Sequence, residues 1–214
     1  MPTANSKRPH FGSVGTSYAA IVVTSALPES FGAALEALSV FLTESELPAV
    51  IVGGVAASLL GRPRLTQDID VLVDVPDEGW DRLLVIAATR GIAPRIDDSL
   101  DFARKTRVLL LRHTASGIDI DVIFGALQFE REAVGAGTAT TVGSTLLRLP
   151  RVEDLMIMKA IAHRPRDLVD LEGLLLAHPE ADIDRVRRWV GEFAGAATMP
   201  ELLEDLDKLI GRKR

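Results

Sequence analysis

The sequence contains no cysteine, so it can form no disulfide framework, thiolate metal site or cysteine nucleophile. That absence fits a reducing compartment, and the expected location is the cytoplasm. Aromatic residues are scarce, at 5%. The interior must therefore be built mainly from Leu, Val, Ile and Ala. No apolar run approaches the roughly 20 residues that cross a bilayer, so no membrane span is expected. Positive charge is also in deficit, with a formal net charge of −6. This argues against a protein that coats nucleic acid by bulk charge, and it leaves room for a local basic groove.

What is present is ordinary globular composition, 47% hydrophobic and 25% charged, over 214 residues. That length suits a core domain plus a smaller appendage. Near the N-terminus, Lys7 and Arg8 precede an uncharged stretch with "SYAAIVVTSA". It loosely resembles a signal peptide, but its apolar part is short and broken by Ser, Thr and Gly. Residues 1–28 are expected to be a poorly ordered leader.

Apolar residues Phe31, Leu35, Leu38 and Leu42 follow at helical spacing. "PAVIVGG" reads as a short buried strand ended by glycines, and "VAASLLG" as a short helix stopped at Gly61. "RPRLTQ" is a loop and "DIDVLVDV" a strand. The acids after Pro76 and the glycine at Gly91 predict a helix over "PDEGWDRLLVIAATRG". "RVLLLRH" and "GIDIDVIFG" are two more strands around a turn near "TASG", and "TATTVG" with "TLLRLP" can form a small hairpin. After Pro150 four segments carry helical periodicity, punctuated by Pro165, Pro179 and Pro200. The expected architecture is an α/β domain over 29–149 and a helical domain over 150–214, without internal repeats.

The acidic residues in the strands carry the chemistry. Alternate side chains of a strand share a face, so Asp68 and Asp70 point the same way, roughly 7 Å apart. Ile69, Val71 and Val73 point into a core. Neighbouring carboxylates repel, and a divalent cation relieves that repulsion. Magnesium takes oxygen ligands and completes its shell with substrate phosphates. "GIDIDVIFG" repeats the arrangement with Asp119 and Asp121. If the two strands are neighbours, three or four carboxylates converge, as two-metal nucleotidyl transfer requires. The alternative for each pair is a solvated strand end. Upstream, Gly53 and Gly54 follow a strand and open a helix, where backbone N–H groups can approach phosphate closely.

Gly53-Gly54, a helix, Asp68-Ile-Asp70 and a further acidic strand resemble the DNA polymerase β-type nucleotidyltransferase superfamily over about residues 48–125. The resemblance implies a mixed sheet with flanking helices, followed here by a C-terminal helical domain. It implies that Gly53 and Gly54 cradle the triphosphate of an NTP. It also implies that Asp68 and Asp70 bind metal, with a third carboxylate that binds metal and supports the base. Asp121 matches that third position best, with Asp119 as the alternative. The spacer of thirteen residues, 55 to 67, is long for the family. Gly54 stands where the family commonly has Ser, so one hydroxyl contact is missing.

"EDLMIMKAIAHRPRDLVDLEGLL" resembles the abortive-infection and minimal-type bacterial nucleotidyltransferases, which include toxins of toxin–antitoxin pairs. Their helix-borne lysine corresponds to Lys159, and their Arg-x-x-Asp element falls in "RPRDLVD", with Arg164, Asp167 and Asp170. Lys159 is the lone positive charge among Leu155, Met156, Ile157, Met158 and Ile161, and could reach a triphosphate as a point charge. Asp167 could orient it or a nearby arginine. Against this, Lys159 could snorkel to solvent and Asp167 could cap a helix behind Pro165.

Arg62, Arg64, Thr66 and Gln67 precede the Asp-x-Asp and suit phosphate or acceptor contacts, or a plain solvated loop. His113 and His163 have no zinc-site spacing and are expected to be structural. "DRVRRW" and "GRKR" could touch RNA, but a solvated face and a frayed tail explain them as well. The implied function is nucleotide transfer from an NTP, with two magnesium ions, to a hydroxyl. The toxin resemblance points to the tRNA 3′ end as acceptor and to a cognate antitoxin as partner. The alternatives are an antitoxin that transfers AMP to protein, an enzyme acting on a small molecule such as an aminoglycoside, and an inactive member of the fold serving as a binding partner.

Overall fold

A computed structural model of the chain describes residues 29–76 and 78–212. The leader over 1–28 lies outside the described residues. The elements run α1 (Glu29–Glu44), β1 (Ala49–Ile51), α2 (Gly53–Leu60), β2 (Asp68–Val73), α3 (Trp80–Thr89), β3 (Ile92–Pro94), α4 (Ser99–Thr106), β4 (Val108–His113), β5 (Ile118–Phe124) and α5 (Gln128–Gly135). A hairpin of β6 (Thr138–Val142) and β7 (Thr145–Leu149) leads to α6 (Val152–Ala162), α7 (Pro165–Ala177), α8 (Ile183–Ala197) and α9 (Glu201–Gly211).

The main sheet has the order β1-β2-β5-β4-β3. Only β2 and β5 run parallel; β1–β2, β4–β5 and β3–β4 are antiparallel. Ile69, Val71 and Val73 of β2, and Ile120 and Val122 of β5, are fully buried on one face. The other face is covered by α5 only at the far ends of these strands, where Leu72 packs with Val50, Val52, Ala133 and Val134. The near ends, which carry the aspartates, lack that cover. The acidic residues therefore interrupt a buried strand only where its second face opens.

The helices after Pro150 fold back onto the same interior. One buried apolar cluster extends from Phe31 of α1 through the sheet to Ile210 of α9. Pro165 opens α7 two residues after His163, which ends α6 in the left-handed region at φ 51°. This elbow sets the two helices side by side.

Three short elements escape the periodicity of the sequence: β3, α4 and α5. One boundary also moves. The third helix begins at Trp80, not Pro76, because Gly79 turns the chain at φ 82° and the Trp80 indole N–H donates to the Pro76 carbonyl at 2.9 Å. The Trp80 ring then stacks on Phe124 with centroids 3.8 Å apart.

Candidate active site

The β2–β5 register sets Asp70 beside Asp121 and Asp68 beside Asp119. Register partners on neighbouring strands project to the same side, so all four aspartates lie on the open end of one sheet face. Burial, together with the charges of Asp68 and Asp121, pushes the Asp70 carboxyl up to about 6. The Gly54 backbone N–H and the charge of Lys159 oppose that rise without cancelling it. Burial likewise raises Asp121. Asp70 is short of positive charge, whereas Asp121 is raised despite the charge of Arg95.

Asp119 is in the opposite condition. Arg112, its cross-strand neighbour on β4, donates to it at 2.6 Å, and Arg95 donates to its second oxygen at 2.5 Å. The bond from Arg112 holds its carboxyl below the usual range. Arg95 also reaches Asp121 Oδ1 at 2.5 Å, so one guanidinium bridges both aspartates of β5.

The two glycines between β1 and α2 are spatial necessities. Gly53 has φ 60°, and a β-carbon there would overlap the Asp70 carboxylate. A β-carbon on Gly54 would overlap the Thr66 hydroxyl. Thr66 is buried and donates to Asp68 Oδ1 at 3.0 Å. The side chain that the family commonly carries at the second glycine has no room here. Thr66 fills that space and holds Asp68.

Lys159 is 5% exposed and does not snorkel to solvent. Its Nζ lies 3.0 Å from Asp167 Oδ1 and 2.9 Å from Asp170 Oδ2. Asp167 also accepts from Arg164 Nε at 2.5 Å, and Asp170 from Arg64 Nε and Nη2 at 2.7 and 2.8 Å. Burial alone would raise both carboxyls, but Arg164 and Lys159 lower Asp167, and Arg64 and Lys159 lower Asp170. Five charges thus form one chain, Arg64–Asp170–Lys159–Asp167–Arg164, tying the loop before β2 to α6 and α7. Arg164, not Asp167, is the N-cap residue of α7, so the capping alternative for Asp167 does not hold.

Some of these groups line a cleft of about 300 Å³. One end is lined by Gly53, Asp70, Lys159, Arg164 and Asp167, the other by apolar side chains including Leu127, Met158, Ile161 and Phe193. The remaining candidates lie elsewhere. His113 contacts Ser116 Oγ at 2.8 Å, and His163 contacts Asp205 at 3.1 Å. In "DRVRRW", Arg185 is spent on buried Asp154 and Arg187 on Asp207. Sequence reasoning missed Arg95 and Arg112, and the pairing of Arg64 with Asp170. The Arg112–Asp119 pair has a readable signal, since the short turn between β4 and β5 fixes their register. Arg95 has none.

The residues over 34–210 match the family model described as nucleotidyl transferase AbiEii toxin, type IV TA system. The chain belongs to that family. It is a nucleotidyltransferase. No curated protein matches its sequence. Among solved structures, the solution structure of the antibiotic-resistance factor ANT(2″)-Ia superposes with a TM-score of 0.55 at 16% identity, covering 81% of this chain and 97% of that one. ANT(2″)-Ia in complex with adenylyl-2″-tobramycin gives 0.52 at 19% identity, covering 78% and 99%. An antigenic nucleotidyltransferase-like protein from Paracoccidioides brasiliensis gives 0.52 at 15% identity, covering 84% and 93%. At these identities the likenesses support the nucleotidyltransferase fold alone. Among the described residues no helix is long and apolar enough to cross a membrane.

Proposed function

We propose that this nucleotidyltransferase moves a nucleotide from an NTP to a hydroxyl at the 3′ end of tRNA, and acts as the toxin of a toxin–antitoxin pair in the cytoplasm. One observation carries the catalytic part: Asp70, the register partner of Asp121, lines a cleft whose wall also holds Lys159 and Arg164. The acceptor and the toxin role rest on family membership. The division into a catalytic core over 29–149 and a helical part over 150–214 belongs to the same reading.

Magnesium suits the donor set chemically. Asp68, Asp70 and Asp121 offer only carboxylate oxygens, and burial with the charges of Asp68 and Asp121 raises Asp70, a strain that a bound cation would relieve. Among the described residues, no three acidic or histidine side chains yet stand close enough to share an ion. When bound, two such ions supply activation of the attacking hydroxyl and charge neutralisation on the triphosphate.

The chain's own residues have distinct tasks. Asp68, steadied by Thr66, and Asp70, seated against Gly53, would hold the metal with Asp121. Asp121 also supports removal of the acceptor proton. Lys159 and Arg164 attract the triphosphate, and Asp167 and Asp170 fix the direction of the Lys159 ammonium. Gly53 and Gly54 keep the backbone close to the phosphates. The apolar end of the cleft excludes water and takes the uncharged part of a substrate.

The test is incubation with each α-labelled NTP, magnesium and total tRNA, using wild type and Asp70→Ala. Label in tRNA from wild type alone supports the proposal. Label in protein points to the AMP-transferring alternative. No label in any acceptor points to an inactive binding partner. In cells, wild type is expected to stop growth, and Asp68→Ala to relieve the arrest.

A further inference from the structure

Arg95 sits against both aspartates of β5. It follows β3, and its backbone N–H donates to the Leu110 carbonyl, which anchors the residue beside β4. Its two terminal nitrogens donate to Asp119 Oδ2 and Asp121 Oδ1, both at 2.5 Å. Its third nitrogen, Nε, is buried and has no hydrogen-bond partner.

The two aspartates it bridges are not equivalent. Asp119 keeps a second partner, Arg112, if Arg95 leaves. Among the described residues, no other hydrogen bond or ion pair to the Asp121 side chain accompanies the one from Arg95. Arg95 thus occupies one oxygen of the carboxylate that would join Asp68 and Asp70 in holding a metal. A guanidinium in contact with a metal ligand also repels an incoming cation.

We infer that Arg95 is a stand-in cation for the third carboxylate, holding Asp121 until a divalent ion displaces it. The exchange is one of ion pairs only. Asp121 changes partner from guanidinium to metal, Asp119 stays neutralised by Arg112, and no covalent bond changes. This inference rests on the metal reading of the Asp68, Asp70 and Asp121 set. It makes Arg95 a positioning residue that sets how readily the site loads.

The test is Mn²⁺ binding to the full chain without NTP, followed by the electron paramagnetic resonance signal of free Mn²⁺. Arg95→Gln is expected to tighten binding roughly two- to fivefold, the size of a partly exposed ion pair expressed as an equilibrium constant. Arg112→Gln removes the same charge but touches only Asp119, and is expected to change affinity by less than about twofold. Unchanged or weaker binding in Arg95→Gln overturns the inference, as does equal tightening in both variants. If Arg95→Gln does not fold, the wild type still decides. In ¹⁵N spectra the Arg95 guanidinium, identified with Arg95→Lys, is expected to rotate slowly without Mg²⁺ and freely with it. Slow rotation in both states overturns the inference. Absence of any Asp70→Asn-sensitive Mn²⁺ binding overturns the metal reading itself, and the inference with it.

Discussion

Lys159 Nζ lies 2.9 Å from Asp170 Oδ2, and this buried ion pair joins α6 to α7 beside the cleft. Each of the two carboxylates around Lys159 has an arginine of its own, Arg64 for Asp170 and Arg164 for Asp167. Lys159→Met therefore does not leave an unpaired buried charge, which is what makes such losses severe. The expected stability loss is about 1–2 kcal/mol, read as a fall in Tm of a few degrees. Nucleotidyl transfer is expected to fall at least about 100-fold, since the charge proposed to meet the triphosphate is gone. A Tm collapse accompanied by near-normal specific activity of the folded fraction would assign Lys159 to structure alone.

Asp70 makes stability depend on pH. Its folded-state carboxyl sits at about 6, above its ordinary 3.8. The folded chain therefore binds this proton more tightly than the unfolded chain. The group's contribution is most favourable at low pH and is lost as pH rises from about 4 to about 6. Asp70→Asn removes that loss. In chelator, the variant is expected to exceed wild type by about 1–3 kcal/mol at pH 8, with the difference shrinking toward zero by pH 4. Denaturant midpoints across that range check the sign, and a variant less stable than wild type at pH 8 would contradict the burial of an unpaired charge.

The glycine pair gives a third expectation. Gly53→Ala meets both a positive φ and the Asp70 carboxylate, so a loss of about 2–4 kcal/mol and of activity is expected. Gly54→Ser drives against the Thr66 hydroxyl and so disturbs Asp68. The double change Gly54→Ser with Thr66→Ala vacates that space. It is expected to recover part of the melting temperature that Gly54→Ser loses, a non-additivity that a double-mutant cycle measures. Strict additivity would mean that the two positions do not compete for space.

Much of this fold is legible in the sequence because its strands and long helices have sharp periodicity. β2 alternates Asp68, Ile69, Asp70, Val71, and α6 to α9 are separated by prolines or left-handed residues. The missed elements lack that contrast. Among the residues of α4, only Ser99 and Ala103 are buried, and β3 is three residues ending in Pro94. The same logic divides the site. Asp68, Asp70, Asp121 and Lys159 stand out because each is a charge inside an apolar run. Arg64 and Asp170 are 106 positions apart, and Arg95 arrives through an edge strand that gives no local signal. Their roles exist only once the chain has closed.

The assignment of the catalytic carboxylates is tested most directly by transfer rates of Asp70→Ala, Asp121→Asn and Asp119→Asn, with the α-labelled NTP and acceptor that wild type uses. Asp119 is engaged by Arg112 and Arg95, whereas Asp121 adjoins Asp70. Asp70→Ala and Asp121→Asn are expected to lose roughly a thousandfold or more, and Asp119→Asn to stay within about tenfold of wild type. An inactive Asp119→Asn beside an active Asp121→Asn, or an Asp70→Ala that still transfers label, would contradict the account.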